Sequence, residues 1–329
     1  MTYCYRVYGL ELYSSVIIAG LEPHSGAGLQ PDVRFESGLQ PSWVNAGLAL
    51  PGTVIVRRGA DGGSTTTTLT ITSHGEDSCF ELVYADGTRF VVSGDARHVW
   101  GAFLPPLTLE DVATYLLGPI MGFLLRLQRR TCLHASSIRI GDCGVALVGD
   151  AGSGKSTTAA ALALRRMSVC SEDIVPLAES DGRFEIIPGY PRVCLWPDSV
   201  EMLLGSKDAL PLLTPVWDKR YLPLDGMRAQ FVDENLPLGM IYLLGARTDS
   251  ESAPRVEELR PKEALLELVQ NTYMNWLPDP GQRAQEFDVL ARLLEMVPVR
   301  RIIPHTDPRK IDQLCDLLIQ DANGAMARR

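Results

Sequence analysis

The spacing of apolar and polar positions changes character along this chain. Up to about residue 103, apolar residues alternate with polar ones or come in short bursts between turn residues, the pattern of strands with one buried face. Residues 80–84 and 88–92 flank Asp86-Gly87, and Asp-Gly suits the positive φ angles of a tight turn, so they predict a hairpin. Residues 53–58 and 65–72 predict a second hairpin, linked through 59–63; the threonine run 65–68 reads as β-branched strand rather than as a phosphorylation cluster. Residues 20–43, rich in Gly and Pro, yield no assignment. After Pro105-Pro106 the period becomes helical: Leu109, Val112, Leu116, Ile120, Phe123 and Leu127 share one face, with Thr108 and Asp111 as a cap. Pro119 predicts a kink in this helix. Its apolar stretch, 112–125, is too short to span a bilayer and is flanked by charge, so it reads as a buried helix.

From residue 133 strands and helices are interleaved. Residues 137–140 and 145–148 predict a hairpin about the turn 141–144, followed by a helix over 156–166 and a strand over 167–170 that ends at Ser171-Glu172-Asp173. Residues 184–187 and 192–195 predict another hairpin about Pro188-Gly-Tyr-Pro191. A strand over 240–244, an amphipathic helix over 261–275, a last strand over 300–303 and a C-terminal helix over 308–320 complete the pattern. Loose alternation of this kind implies an α/β fold with a mixed sheet rather than an all-parallel one. The expected organisation is a small β-rich N-terminal domain (1–104), a connecting helix (105–131) and a nucleotide-binding domain (132–329).

With 329 residues, 46% hydrophobic and 22% charged, the chain has the make-up of a soluble globular protein of one large or two modest domains. A net charge of −9 argues against nucleic acid as a partner. Seven cysteines without a C-x-x-C pair, several inside apolar runs, predict buried thiols in a reducing cytoplasm. The first residues, MTYCYRVYGLELYSS, lack the charged start and apolar core of a signal peptide, and no membrane association is expected.

Composition leaves the chemistry open; the octapeptide Gly149–Ser156, GDAGSGKS, does not. It is a complete G-x-x-x-x-G-K-[ST] phosphate loop, set between the apolar run 144–148 and the Ala- and Leu-rich helix. A loop of this spacing turns backbone N–H groups inward around phosphate oxygens, at a helix N-terminus that favours anions. Gly149, Gly152 and Gly154 permit the close approach, with Asp150, Ala151, Ser153 and Thr157 completing the cradle. Lys155 is expected at the β- and γ-phosphates of ATP and Ser156 on Mg²⁺.

Holding a nucleotide does not decide its fate. Phosphoryl transfer also needs metal ligands, a group that takes the acceptor proton, and positive charge. Glu172 and Asp173 end the strand that follows the loop helix, on the sheet edge where the loop lies, so they are the candidate acids for the metal and the proton. A turn cap is the alternative for this pair. His134 opens the preceding hairpin strand and could be catalytic or structural. Arg192, in PGYPRVCLWPDS, and Lys219-Arg220, in WDKRYLP, are the basic candidates for phosphate contact, with stacking or ion pairing as alternatives. His24, His74, His98 and His305 show no metal-ligand spacing.

His134, Gly149–Ser156 and Glu172-Asp173, in this order and spacing, resemble the catalytic domain of the HPr kinase/phosphorylase family, itself akin to phosphoenolpyruvate carboxykinases. The resemblance is strongest over 133–177 and weaker to the C-terminus. It implies the family's P-loop kinase fold, puts the lysine and serine roles on Lys155 and Ser156, and puts general-base and metal-binding acids on Glu172 and Asp173. The first acid is Glu where the family has Asp, which leaves their division of labour open. The family's glycine- and arginine-containing segment has no counterpart, which argues against phosphorylase activity and against HPr as substrate. P-G-Y-P-R-x-x-L-W-P-D-S and the D-K-R stretch are more similar to the HPr-kinase-like proteins encoded beside lasso-peptide biosynthesis genes. That resemblance implies ATP- and Mg²⁺-dependent phosphorylation of a serine at the C-terminus of a precursor peptide. A small-molecule kinase on the same fold and a non-catalytic nucleotide-binding regulator are the competing readings. The N-terminal region could hold the peptide through exposed strand edges, or serve homo-oligomer contacts instead.

Overall fold

The computed structural model describes residues 2–26, 28–59 and 67–327, and the chain divides into two compact units. The first comprises Met1–Gln128 with Thr214–Val216; the second comprises Arg129–Leu213 and Trp217–Arg329.

In the first unit, strands β1 (Tyr3–Val7), β2 (Leu10–Ser14), β3 (Val33–Ser37), β4 (Gly52–Gly59), β5 (Thr67–His74), β6 (Cys79–Tyr84), β7 (Arg89–Ser93) and β8 (His98–Ala102) form one sheet, ordered β1-β2-β3-β8-β7-β6-β5-β4. Both expected hairpins form: β6 pairs antiparallel with β7 and β4 with β5. Residues 60–63 of the expected link, and Thr65 and Thr66 of the threonine run, lie outside the described residues. The unassigned stretch 20–43 holds β3, which lies parallel to both β2 and β8, and the start of helix α1 (Ser42–Leu48). Parallel neighbours are joined by long connections, so no local turn marks them in the sequence.

The helix after Pro105-Pro106 is α2 (Leu109–Tyr115), a π turn (Leu116–Ile120) and α3 (Met121–Leu127). The buried Asp111 carboxylate accepts hydrogen bonds from the Thr108 backbone N–H (2.8 Å) and hydroxyl (3.0 Å), as the cap signal predicts. Pro119 lies within the π turn, where the wider coil accommodates a residue with no N–H to donate. Phe123 meets Phe80 edge-on at 5.3 Å, so this helix belongs with the first unit's core.

In the second unit, β9 (Cys132–Ile140) is the organising strand. It pairs antiparallel with β10 (Cys143–Val148), β11 (Ser168–Ser171) and β12 (Ile174–Ser180). β10 pairs parallel with β17 (Leu236–Leu244), which pairs parallel with β19 (Val299–Ile303); β18 (Arg255–Glu258) closes that edge antiparallel. β13 (Arg183–Ile186) joins β12 to β17, and β16 (Gln230–Phe231) extends the sheet beyond β11. The sheet is therefore mixed, and β11, β10, β17 and β19 run in one direction with their C-terminal ends on one edge.

Both faces are covered. Val145 and Leu147 of β10 face a core shared with the alanines of α4 (Lys155–Leu164) and with α8 (Ile311–Met326), and Ala146 and Val148 face one shared with α6 (Pro261–Gln270) and α7 (Pro280–Met296). This double burial is why β10 reads as an unbroken apolar run. The Ala-rich inner face of α4 lets it approach the strands closely, which fixes the loop before it at the sheet edge.

Two expectations are corrected, and one long helix is added to the expected set. Residues 184–187 and 192–195 do not form a hairpin: β14 (Arg192–Leu195) pairs with β15 (Arg220–Pro223). Pro188 and Pro191 have no N–H for a ladder, and the Gly189 N–H goes to the Cys170 carbonyl (2.9 Å), carrying the chain past β11 instead of back on itself. The helix from Pro261 ends at Gln270, because Asn271 and Tyr273 bond to β9 through His134 N–H to Asn271 O and Tyr273 N–H to Cys132 O, each 2.8 Å. Helix α7, capped by Asp279 on the Gln282 N–H (2.8 Å), is additional; its polar run Gln282-Arg-Ala-Gln-Glu286 hides the helical period. α5 (Pro197–Leu204) and a 3₁₀ turn (Pro308–Lys310) ahead of α8 complete the unit.

Cys4, Cys79, Cys132, Cys170 and Cys315 are buried, as the apolar runs around several cysteines predict, whereas Cys143 and Cys194 are partly exposed. Among the described residues, no helix is long and apolar enough to cross a membrane.

Candidate functional site

The direction of the strands brings the chemistry together. At the common edge, β10 opens into the phosphate loop, β11 into Glu172-Asp173, β17 into Gly245–Arg247 and β19 into Pro304-His305, while the antiparallel β9 brings His134 to the same edge from its start. In lateral order the acids lie on one side of the loop and Arg247 and His305 on the other.

Gly149–Ser156 forms the expected strand–loop–helix unit, with α4 beginning at Lys155. Gly152 (φ +78°) and Gly154 (φ +106°) hold left-handed conformations that residues with a Cβ rarely adopt. The loop's own hydrogen bonds include Ser153 N–H to the Asp150 carbonyl (3.2 Å), while Ala151 is exposed. Lys155 is buried and folds back over the loop, donating to the carbonyls of Gly149 (2.6 Å) and Asp150 (2.9 Å). Burial lowers its pKa to about 8, against the pull of Asp173, Glu172 and Asp150. The ammonium is thus held by two neutral carbonyls, with three carboxylates in electrostatic range. Thr157 shares a hydrogen bond with Ser199 of α5 (2.9 Å).

Ser156 donates its hydroxyl to Glu172 Oε1 at 2.6 Å, so two of the three expected metal ligands, Ser156, Glu172 and Asp173, are in contact. Glu172 is 6% exposed. Burial pushes its carboxyl up to about 7, the Asp173 carboxylate adds to this, and Ser156, Lys219 and the Cys194 backbone N–H oppose it. A cation in contact with that carboxylate would relieve the cost of burying its charge. The hydroxyl and carboxylate are hard oxygen donors of the kind Mg²⁺ takes, with water and phosphate completing its shell. Among the described residues, no group of three or more His, Cys, Asp or Glu side chains could hold a metal ion. Ser156 and Glu172 could therefore hold Mg²⁺ only together with further oxygen ligands.

Asp173 adopts φ +66° and is more exposed than Glu172. Its Oδ1 lies 3.5 Å from His134 Nδ1, and the His134 ring stacks on Tyr273 at 6.0 Å. Burial lowers the His134 pKa, with Asp173 pulling the other way. The acids thus differ in setting: Glu172 faces inward onto Ser156, and Asp173 faces outward beside a histidine.

The basic candidates separate. β14 lies beside the acids, since the Cys194 backbone N–H reaches Glu172. Arg192, on the same strand, is buried with its guanidinium 5.1 Å from the Tyr190 ring centre. Lys219 Nζ sits 4.9 Å from the Trp196 ring centre and bears electrostatically on both Glu172 and His134. Arg220 instead bonds Asp208 Oδ1 (2.8 Å), Asp218 Oδ1 (3.3 Å) and the Asp218 carbonyl (3.1 Å), a set of partners that explains its burial without a phosphate.

Two residues escape the sequence reading. Tyr273 supports His134 from a segment read as helix. Arg247 sits so close to the loop that a Cβ on Gly154 would lie 2.9 Å from its Nη2. Its signal was its place just beyond a strand adjacent to β10, visible only once β17 is known to lie parallel there.

No family model matches the chain, and no curated protein matches it. Among solved structures it is similar to the Hpr(Ser) kinase/phosphatase from Coxiella burnetii, at 11% identity over 59% of this chain and 97% of that one, with a TM-score of 0.32. A likeness at that score and identity bears on neither the substrate nor the activity of this chain.

Proposed function

We propose that this chain is an ATP- and Mg²⁺-dependent serine kinase of the HPr-kinase-like type, acting on a peptide or small protein. The observation that carries the reading is the contact of Ser156 with the buried Glu172, directly after Lys155 in the phosphate loop and beside the outward-facing Asp173. A binding module needs the loop; an acid pair with one inward and one outward member serves transfer.

The loop N–H groups and Lys155 bind the triphosphate. Ser156 and Glu172 hold Mg²⁺, which when bound offsets phosphate charge. Asp173 takes the proton of the acceptor serine, the freed oxygen attacks the γ-phosphorus, and the bond to the β-phosphate oxygen breaks to leave ADP and phosphoserine. His134 orients Asp173, and Lys219 supplies positive charge on the acceptor side. A peptide ending in a free carboxylate after its serine, as in lasso-peptide precursors, matches a site with Lys219 and Arg192 nearby.

The test is phosphate transfer from ATP, with Mg²⁺, to two peptides that end in serine and differ only in C-terminal amidation, with HPr and free serine as further acceptors. Preferential labelling of the free-acid peptide is expected. Equal labelling would remove the carboxylate role, labelling of HPr or free serine alone would replace the substrate, and ATP binding without transfer to any acceptor would favour a regulator.

A further inference from the structure

We infer that the indole of Trp196 is the platform on which the acceptor peptide lays the side chain next to its serine, so that the chain selects a bulky apolar residue there. This inference rests on the peptide-kinase reading. Trp196 is 62% exposed, more than any other aromatic side chain among the described residues. A single exposed apolar side chain is ordinary. What sets this one apart is where it is held.

The ring is open to solvent, but its backbone is fixed. Leu195, next to it, is buried in the core that contains the alanines of α4. The Trp196 carbonyl accepts the N–H groups of Ser199 (3.0 Å) and Val200 (3.2 Å) as α5 begins. The Ser199 hydroxyl meets that of Thr157, the residue after the phosphate loop, at 2.9 Å. Two residues before Trp196, the Cys194 N–H reaches Glu172. Residues 194–199 are therefore tied at one end to an acid and at the other to the first turn of α4, with Trp196 between the ties.

Lys219 fixes the side of the loop on which the ring stands. Its Nζ lies 4.9 Å from the indole centre and its charge bears on Glu172 and His134, so the ring belongs with the acids, where the acceptor must come. The Lys219 backbone is held as well, its carbonyl accepting the Leu213 N–H (2.8 Å). An ammonium already against the ring repels a cationic side chain and leaves apolar and aromatic ones as occupants. Tryptophan is prominent among the anchors of protein and peptide interfaces because a flat ring buries much area at little entropic cost. The acceptor serine commits its hydroxyl to Asp173 and has no apolar surface to stack. Its neighbour in the peptide, with a Cα about 3.8 Å further along, is the first residue free to cover the indole. For a serine at the C-terminus, that neighbour is the residue before it.

The experiment measures phosphate transfer from ATP, by the full chain, to two free-acid peptides that differ only in the residue before a terminal serine, Phe in one and Ala in the other. Wild type is expected to favour the Phe peptide by about tenfold in kcat/KM, chiefly through KM. Trp196→Ala should bring that ratio to within about twofold of one, and Trp196→Phe, which keeps an aromatic face, should retain most of it. Thermal melting checks the fold of both variants, and the wild-type comparison stands without either. Equal use of the two peptides by wild type, or an unchanged ratio in Trp196→Ala, would overturn the platform and leave the kinase standing. A calorimetric loss of ATP affinity in Trp196→Ala as large as its loss of the Phe peptide would overturn it too, by assigning the ring to the nucleotide. So would a changed oligomeric state in Trp196→Ala with the ratio intact, which would make the ring a subunit contact. Labelling of neither peptide would overturn the peptide-kinase reading and the platform with it.

Discussion

On the β11 side of the phosphate loop, Glu172, Asp173, Ser156 and His134 crowd together, with the first of them buried and its carboxyl pushed up to about 7. On the β17 and β19 side, Arg247, His305, Asp307 and Lys310 line a pocket together with Met202, Ile311 and Leu314. The two regions share a sheet edge and the same loop, so the fold does not explain the contrast. The proposed function would account for it: proton transfer and metal binding call for groups beside the loop whose charge can change, and these are costly to bury.

The largest expected break in this contrast is Lys155→Ala, which removes the buried ammonium that lies over the loop in electrostatic range of both acids. Transfer should fall by about 10³-fold, and triphosphate should lose more affinity than diphosphate, because the ammonium acts at the β/γ end. Unchanged ATP affinity and turnover in calorimetric and kinetic assays would remove the phosphate-loop assignment.

Next come Glu172→Gln and Asp173→Asn, which remove charge at nearly constant volume. Each should lower turnover by about 10²-fold with folding intact. They sharpen the comparison if they part company. Glu172→Gln should raise the Mg²⁺ concentration needed for half-maximal rate, and Asp173→Asn should lower the maximal rate at any Mg²⁺ level. Wild-type rates in both variants would make the acids turn caps.

Which parts of this were legible beforehand follows from how local each signal is. The phosphate loop, its strand and its helix are contiguous, and Glu172-Asp173 follow one helix later, so spacing alone brings them together. The pocket side needs β17 and β19 to lie parallel to β10, a fact carried by contacts across about a hundred residues of chain and by no turn signal. Pro188-Gly-Tyr-Pro191 looked like a hairpin turn for the converse reason. Its residues fit a local turn, yet the Gly189 N–H is captured by Cys170, a tertiary partner.

A smaller effect tests the buried charge directly, in protein without ligand. Glu172 is raised from 4.5 to about 7 on folding, chiefly by burial, so between those values the folded state holds the proton that the unfolded state releases. Stability from this group is therefore full below pH 4.5 and is lost as pH rises to about 7. His134, lowered by burial, works the opposite way below its ordinary value, so the difference between wild type and Glu172→Gln is the informative quantity. The melting temperature of wild type should fall relative to the variant by a few degrees, roughly 3 °C for each kcal/mol, across that interval. A pH-independent difference would mean that Glu172 is charged in the folded protein throughout.

The smallest effect separates two neighbours in sequence. Lys219 bears on Glu172 and His134 from its place over Trp196, whereas Arg220 is bound to Asp208 and Asp218. Arg220→Met keeps most of the apolar stem and removes those ion pairs, whose acidic partners are largely exposed, together with the bond to the Asp218 carbonyl, so it should cost about 1 kcal/mol of stability. Nucleotide affinity and turnover at saturating substrate should stay within about twofold, since neither partner of Arg220 touches the loop or the acids. Lys219→Met should do the reverse, with little change in melting and a loss of turnover that shrinks as salt screens the remaining charges. If Arg220→Met lowers triphosphate affinity as much as Lys219→Met does, the guanidinium leaves Asp208 and Asp218 when nucleotide binds, and the acid side of the loop reaches one residue further than its ligand-free geometry indicates.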